Sequence, residues 1–342
     1  MPTRTAALDA GAQLAPAISR KARLHVVSGK GGTGKTTVAA ALALALTAGG
    51  HKVLLIEVEG RQAIAQLFDQ PALPYEERRL ATTPGGGSLW GLAIDAEQAM
   101  IEYLDMFYGL KRSARGLKKM GAVDFVTTLA PGLRDVLLTG KVKESVTRTE
   151  SDGHHAYDAV VLDAPPTGRI TKFLDATKEV ASLTKIGPIN RQSDGVIKLL
   201  HGSQTAVHLV TLLEEMPVQE TIDAVGDLTA NGFTVGSIVV NRARPALIEA
   251  SMLGPDNAVD PKAIAAGLRK ANLPPALAPS LAEEMTAYAD RLELQAENAA
   301  RLDAVDIPRI TLPDLNPPVE LGELNELAAC FLSTPAPAGI DA

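Results

Sequence analysis

Apolar residues along the chain fall into short runs separated by longer stretches with helical spacing. The runs lie at Leu24–Ser28, Val53–Val58, Leu89–Ile94, Ala159–Asp163, Val207–Leu212, Ser237–Val240 and Arg309–Leu312. Several are almost wholly apolar, as strands covered on both faces are. Their alternation with helical stretches predicts an α/β fold, a three-layer arrangement with a mostly parallel sheet between helices. A helix is expected from about Lys35 to Ala48, rich in Ala and Leu and stopped by Gly49-Gly50. Glycine accepts the left-handed conformation that closes a helix. Two stretches, 96–150 and about 175–203, are too long for simple connections. In the first, Ile101, Leu104, Phe107 and Tyr108, then Leu133, Val136 and Leu137, recur at helical spacing. We therefore expect a core of 22–95 with 151–174 and 204–332. A helical subdomain of 96–150 with 175–203 is inserted beside it, and flexible tails lie at 1–21 and 333–342.

Composition narrows the class. The 342 residues are 46% hydrophobic and 21% charged, enough apolar material for a sizeable core. A net charge of −7 argues against a general nucleic-acid surface. Cys330 is the one cysteine, which rules out a disulfide within the chain and a cysteine cage for a metal from one subunit. The longest apolar runs, such as Val38 to Leu46, fall far short of the ~18–20 residues of a membrane span. Residues 1–21 lack the continuous apolar stretch of a secretory signal. A cytoplasmic protein with no transmembrane segment is expected.

Chemistry enters after the first apolar run. Gly29, Lys30, Gly31, Gly32, Thr33, Gly34, Lys35 and Thr36, with Thr37 next, sit between a predicted strand and a predicted helix. They fit G-x-x-x-x-G-K-[ST], a phosphate-binding loop. Glycines let backbone N–H groups converge on phosphate oxygens, and the helix N-terminus adds its positive end. Lys35 is expected to reach the β- and γ-phosphates of ATP, and the Thr36 hydroxyl to ligate Mg²⁺. Asp163 ends another apolar strand and is expected to hold Mg²⁺ or its waters.

Two further features carry a family resemblance. Lys30 adds a second lysine near the start of the loop, and Asp163-Ala-Pro-Pro-Thr-Gly-Arg169 follows the acidic strand end. Together they resemble the deviant Walker A ATPases of the ArsA family. That family includes arsenite-pump ATPases and the ATPases that target tail-anchored proteins. The resemblance spans about 22–330 and is strongest to the actinobacterial ArsA-like ATPases that occur as paired paralogues. It implies a dimer, of two copies or with a paralogue, in which Lys30 crosses to the partner's nucleotide and supplies charge as an arginine finger does. It also implies that Asn241, in Val239-Val240-Asn241-Arg242, reads the adenine edge and that Pro313 packs near the ring. A hydrophobic protein client on the helical subdomain is implied as well. Residues 100–125 hold Met100, Tyr103, Met106, Phe107, Tyr108, Met120 and Phe125, suited to adaptable contacts or to core packing.

The departures are informative. Where the family's first switch carries T-D-P-A-H, this chain has Val58-Glu59-Gly60-Arg61-Gln62, so Glu59 stands for the aspartate that positions the attacking water. Its extra methylene can displace that water by about 1 Å, enough to cost ~10²-fold, so slow turnover is expected. The C-x-x-C zinc clasp of the targeting ATPases is missing, and arsenite needs several thiolates, so neither structural zinc nor arsenite export is expected. Two alternatives stand beside a hydrolysing enzyme: a non-hydrolysing nucleotide-binding scaffold subunit of a heteromer, and a MinD/ParA-like surface ATPase.

Overall fold

The computed structural model describes residues 13–19, 21–108, 131–183, 188–315 and 318–333. The first half runs β1 (Gln13–Leu14), β2 (Leu24–Gly29), α1 (Lys35–Leu46), β3 (Lys52–Glu57), α2 (Ala63–Leu67), β4 (Arg78–Thr82) and β5 (Ser88–Ala93). It continues through α3 (Ala96–Tyr108), α4 (Pro131–Thr147), β6 (Ala159–Asp163), α5 (Thr167–Leu183) and α6 (Pro188–Leu200). The second half comprises β7 (Thr205–Thr211), α7 (Glu215–Ala230), β8 (Val235–Ala243), α8 (Pro261–Lys270) and α9 (Ala278–Arg301). It closes with β9 (Arg309–Pro313), α10 (Leu321–Ala329) and β10 (Leu332–Ser333).

Eight strands form one sheet in the order β4-β5-β3-β6-β2-β7-β8-β9, and only β4 runs antiparallel to its neighbour. All seven anticipated strands are present. β4 escapes the pattern because an antiparallel edge strand needs no apolar run: Arg78 and Arg79 are exposed, as edge strands commonly are.

Side chains alternate between two apolar clusters, one on each face of the sheet. Leu24, Val26, Leu54, Ile56, Val160 and Leu162 enter one; Val27, Val53, Leu55, Ala159 and Val161 enter the other. Helix α1 belongs to the second cluster, and every residue from Val38 to Leu46 is buried. A helix apolar all round must be covered on all sides. The sheet covers one side and α10, with Leu324, Leu327 and Ala328, covers another. Replacing a fully buried member such as Leu54 by Ala would cost about 2–5 kcal/mol.

Two anticipated boundaries need correction. The segment 13–19 is packed, not loose: β1 pairs antiparallel with β10, and Ile18, 3% exposed, joins the cluster of α10. Apolar Leu14, Ala17 and Ile18 bury there, which holds the chain down. Ser333, placed in the C-terminal tail, likewise belongs to β10. Between β8 and β9 the chain adds α8 and α9, with a small apolar cluster of Val259, Ile264, Leu268, Ala278 and Ala282. Sequence reading merged that addition with the core. Among the described residues no helix is long and apolar enough to cross a membrane.

Candidate nucleotide site

Parallel strands bring their C-terminal ends to one edge of the sheet, and loops leaving that edge build sites in open α/β folds. Here β2, β3 and β6 are adjacent, with Val27 and Glu57 each opposite Asp163. The glycine loop, the loop after β3 and the loop after β6 therefore leave from one place.

Two glycines of the first loop are fixed by close approach. A Cβ on Gly29 would lie 2.2 Å from the Val210 carbonyl oxygen, and one on Gly34 would lie 2.5 Å from the Asn241 amide nitrogen. Gly34 also has φ +84°, a left-handed conformation that glycine adopts without strain. Gly31 and Gly32, by contrast, face open space, where a phosphate can approach the backbone. Thr33 is buried and its hydroxyl donates to the Lys30 carbonyl at 2.9 Å. The Asn241 amide donates to the Thr33 carbonyl at 2.9 Å, so β8 braces the loop from behind. Pro313 pairs in register with Ala243, two residues beyond Asn241, at the same sheet edge.

Lys35 and Thr36 open α1. The Lys35 ammonium donates to the Lys30 carbonyl at 3.4 Å. Burial lowers its pKa, while the charges of Asp163 and Glu59 oppose that shift. The Thr36 hydroxyl donates to Asp163 at 2.6 Å. Asp163 is 8% exposed, and burial pushes its pKa up to about 6; Thr36 and Lys35 work against the shift, and Glu57 and Glu59 add to it. Beyond Asp163, the Ser28 hydroxyl donates to the Pro165 carbonyl at 2.7 Å, tying β2 to the loop of the second switch. Thr37 lies in the first turn of α1.

The loop after β3 is held by a residue that sequence reading passed over. Glu57 is 2% exposed and accepts the backbone N–H of Gln62 at 2.6 Å and of Ile64 at 3.3 Å. A carboxylate there caps the start of α2. Gln62 in turn mimics a strand partner, accepting from the Leu73 N–H at 2.7 Å and donating to its carbonyl at 3.2 Å. Glu59 lies between these anchors and pairs with Arg61 at 3.4 Å. Glu59 and Arg61 line a polar cavity of about 90 Å³ together with Asp135, Pro165 and Arg169. Arg169, at the end of the second switch, pairs with Asp135 of α4 at 3.6 Å.

Lys30 points to a neighbour within its own chain. Its ammonium pairs with Glu220 of α7 at 2.5 Å, and the other oxygen of Glu220 accepts from the Thr167 hydroxyl at 3.4 Å. The structure thus gathers Lys30, Lys35, Thr36, Glu59, Asp163 and Asn241 around one loop, and adds Ser28, Glu57, Asp135 and Glu220. Glu57 was legible as an acid ending an apolar strand, the pattern that marked Asp163. No spacing in the sequence links Asp135 or Glu220 to the loop, because they arrive from separate helices. Met106, Phe107, Tyr108, Met120 and Phe125, named above for client contact, have side chains outside the described residues, as has Leu104 of the helical pattern.

A parallel sheet that ends in a glycine loop, a lysine–threonine pair and a buried aspartate on that threonine defines a P-loop nucleotide-binding ATPase. Comparison with known proteins places it more narrowly. The anion-transporting ATPase family, ArsA, matches residues 22–202, and the chain belongs to that family. The ATPase BagA of Mycobacterium tuberculosis is 54% identical over 310 residues, which cover 90% of this chain and 91% of BagA. More distant are the ATPase GET3 of Kluyveromyces lactis, 27% identical over 197 residues (56% of this chain, 55% of GET3), and the ATPase ARSA1 of Chlamydomonas reinhardtii. The latter is 26% identical over 210 residues, covering 54% of this chain and 26% of ARSA1.

Proposed function

We propose that this ArsA-family ATPase binds and slowly hydrolyses Mg·ATP as a dimer in the cytoplasm, and that nucleotide state controls a partner-binding surface on its helical subdomain. The observation that carries the reading is the 2.6 Å bond between Thr36 and Asp163 beneath the glycine loop. A hydroxyl and a carboxylate held together there suit Mg²⁺ bound directly or through water, and the open faces of Gly31 and Gly32 suit the phosphates. When bound, the ion supplies positive charge that offsets the phosphate oxygens.

Each residue then has a task. Lys35 holds the phosphate chain. Glu59 orients the attacking water. Asn241 supports the loop through its amide nitrogen, which leaves its carbonyl oxygen for the adenine edge, and Pro313 flanks the base. Lys30 serves the partner's nucleotide, so it exchanges Glu220 for phosphate as the subunits close. Because Glu220 also holds Thr167, that exchange reaches the start of α5. Arg169 and Asp135 carry the change into α4. The partner is a second copy or a paralogous ArsA-like chain, and a hydrophobic protein segment is the client class that the family supports.

One observation favours a second reading. Glu59 is paired with Arg61, a geometry suited to a scaffold subunit with negligible turnover. Steady-state hydrolysis by wild type and by Glu59→Gln separates the two. The first reading expects both proteins to bind ATP and only wild type to turn it over. Equal rates well above background would move the water-positioning role away from Glu59, and background rates in both would favour the scaffold.

A further inference from the structure

The helical layer holds a cavity of about 340 Å³, open to solvent on one side and lined by apolar side chains of α3, α4 and α6. Protein interiors are close-packed and seldom leave voids larger than a water molecule. An apolar cavity of about 150 Å³ already takes up benzene, and ligand pockets begin near 300 Å³. Met100, Leu133, Val136, Leu137 and Val196 form the apolar wall.

Two features mark this space as a site. Gly140 stands in the interior of α4, where glycine costs roughly 0.5–1 kcal/mol relative to Ala, and a Cβ built on it would meet no atom within 4 Å. The chain thus keeps its smallest residue at a wall position where a side chain would occupy the cavity. Secondly, most charged groups in the wall are paired, Lys143 being the exception among the described residues. Lys141 lies between Glu102 at 2.9 Å and Glu144 at 3.2 Å, and Tyr75 donates to Glu102 at 2.6 Å. Charges paired in this way require no counter-charge from a ligand, and an apolar body can replace water without stranding them.

Size decides the ligand class. The cavity's volume falls near the lower end of small-molecule pockets, roughly 300–1,000 Å³, which suits one short aliphatic chain. We propose that the cavity binds a single aliphatic chain of roughly ten heavy atoms, with any head group left toward solvent. None of its lining residues belongs to the glycine loop, so probe binding and nucleotide binding can be read separately.

Decanoate and decan-1-ol titrated calorimetrically into the full-length chain are the probes; they share the chain and differ in head group. Both should bind saturably, one per protein chain. Gly140→Leu should weaken both at least tenfold while Mg·ATP binding stays at the wild-type level, and Gly140→Ala should stay within about threefold of wild type. Leu133→Trp, at a less buried wall position, should act as Gly140→Leu does and serves if that variant folds poorly. The proposal is overturned if neither probe binds wild type, or if only decanoate binds. It is equally overturned if the filling variants bind as wild type does, or if a leucine-rich helical peptide binds where decan-1-ol does not.

Discussion

Gly29 and Gly140 show how differently two regions of this molecule are built. At Gly29 a methyl group would strike a neighbouring strand's carbonyl at 2.2 Å; at Gly140 it would meet nothing within 4 Å. The phosphate end is specified atom by atom: Asn241 on Thr33, Thr36 on Asp163, Ser28 on Pro165 and Glu57 on the loop after β3. The helical layer is specified by volume, with apolar walls and mostly paired charges. Chemistry on phosphate needs donors fixed in place, since catalysis by preorganised charge fails when the charges move. An apolar ligand needs only room and dryness. Tight packing at one end and slack at the other match the ligands proposed for each.

That contrast can be broken at its tight end first. Gly29→Ala should destabilise the chain by about 3 kcal/mol or more, because the clash is with backbone and neither strand can give way. Chemical denaturation reads this directly, and a variant as stable as wild type would show that the loop is not held against β7. Next in size, Lys35→Ala should weaken ATP binding by about 100-fold, since a charge-assisted phosphate contact contributes about 1.5–3 kcal/mol. Equilibrium binding with an intact fold checks it, and unchanged affinity would remove Lys35 from the site.

A pH-dependent effect lies between the two regions, inside the sheet. His25 and His208 are fully buried on adjacent strands, 3.0 Å apart at Nδ1 and Nε2, and His208 bonds Ser237 at 2.7 Å. Burial depresses the pKa of His25 to about 4, and burial together with His25 depresses that of His208. An unfolded histidine titrates near 6.5, so below that pH the unfolded chain takes up protons that the folded chain refuses. Stability should therefore fall as pH drops from 6.5 towards 4, with a slope approaching about 1.4 kcal/mol per pH unit for each histidine. Urea midpoints at pH 7, 6 and 5 measure it; removing the pair by a double substitution to apolar residues should flatten the curve.

The same contrast explains what could be read from sequence. Apolar runs gave all seven parallel strands, because strands covered on both faces need them. The loop from Gly29 to Thr36 and the aspartate at 163 were legible because each motif is contiguous and its chemistry allows few substitutes. Contacts that cross the fold were not legible. Lys30 was expected to face a partner, and nothing in its own neighbourhood indicates that Glu220, 190 positions later, takes it up within the chain. β4 went unseen because an exposed edge has no apolar signature, and the packed segment 13–19 because Leu14, Ala17 and Ile18 find their partners at the other terminus. The cavity was illegible for another reason: it consists of what side chains leave empty, and only a glycine within α4 hints at it.

In the proposed function, hydrolysis depends on Lys30 supplied across a dimer. ATP turnover per chain, measured over a wide range of protein concentrations, tests it most directly in wild type and Lys30→Ala. Wild-type turnover per chain should rise with concentration towards a plateau. Lys30→Ala should bind ATP yet remain at background throughout. A Lys30→Ala protein that hydrolyses ATP at the wild-type rate would contradict it.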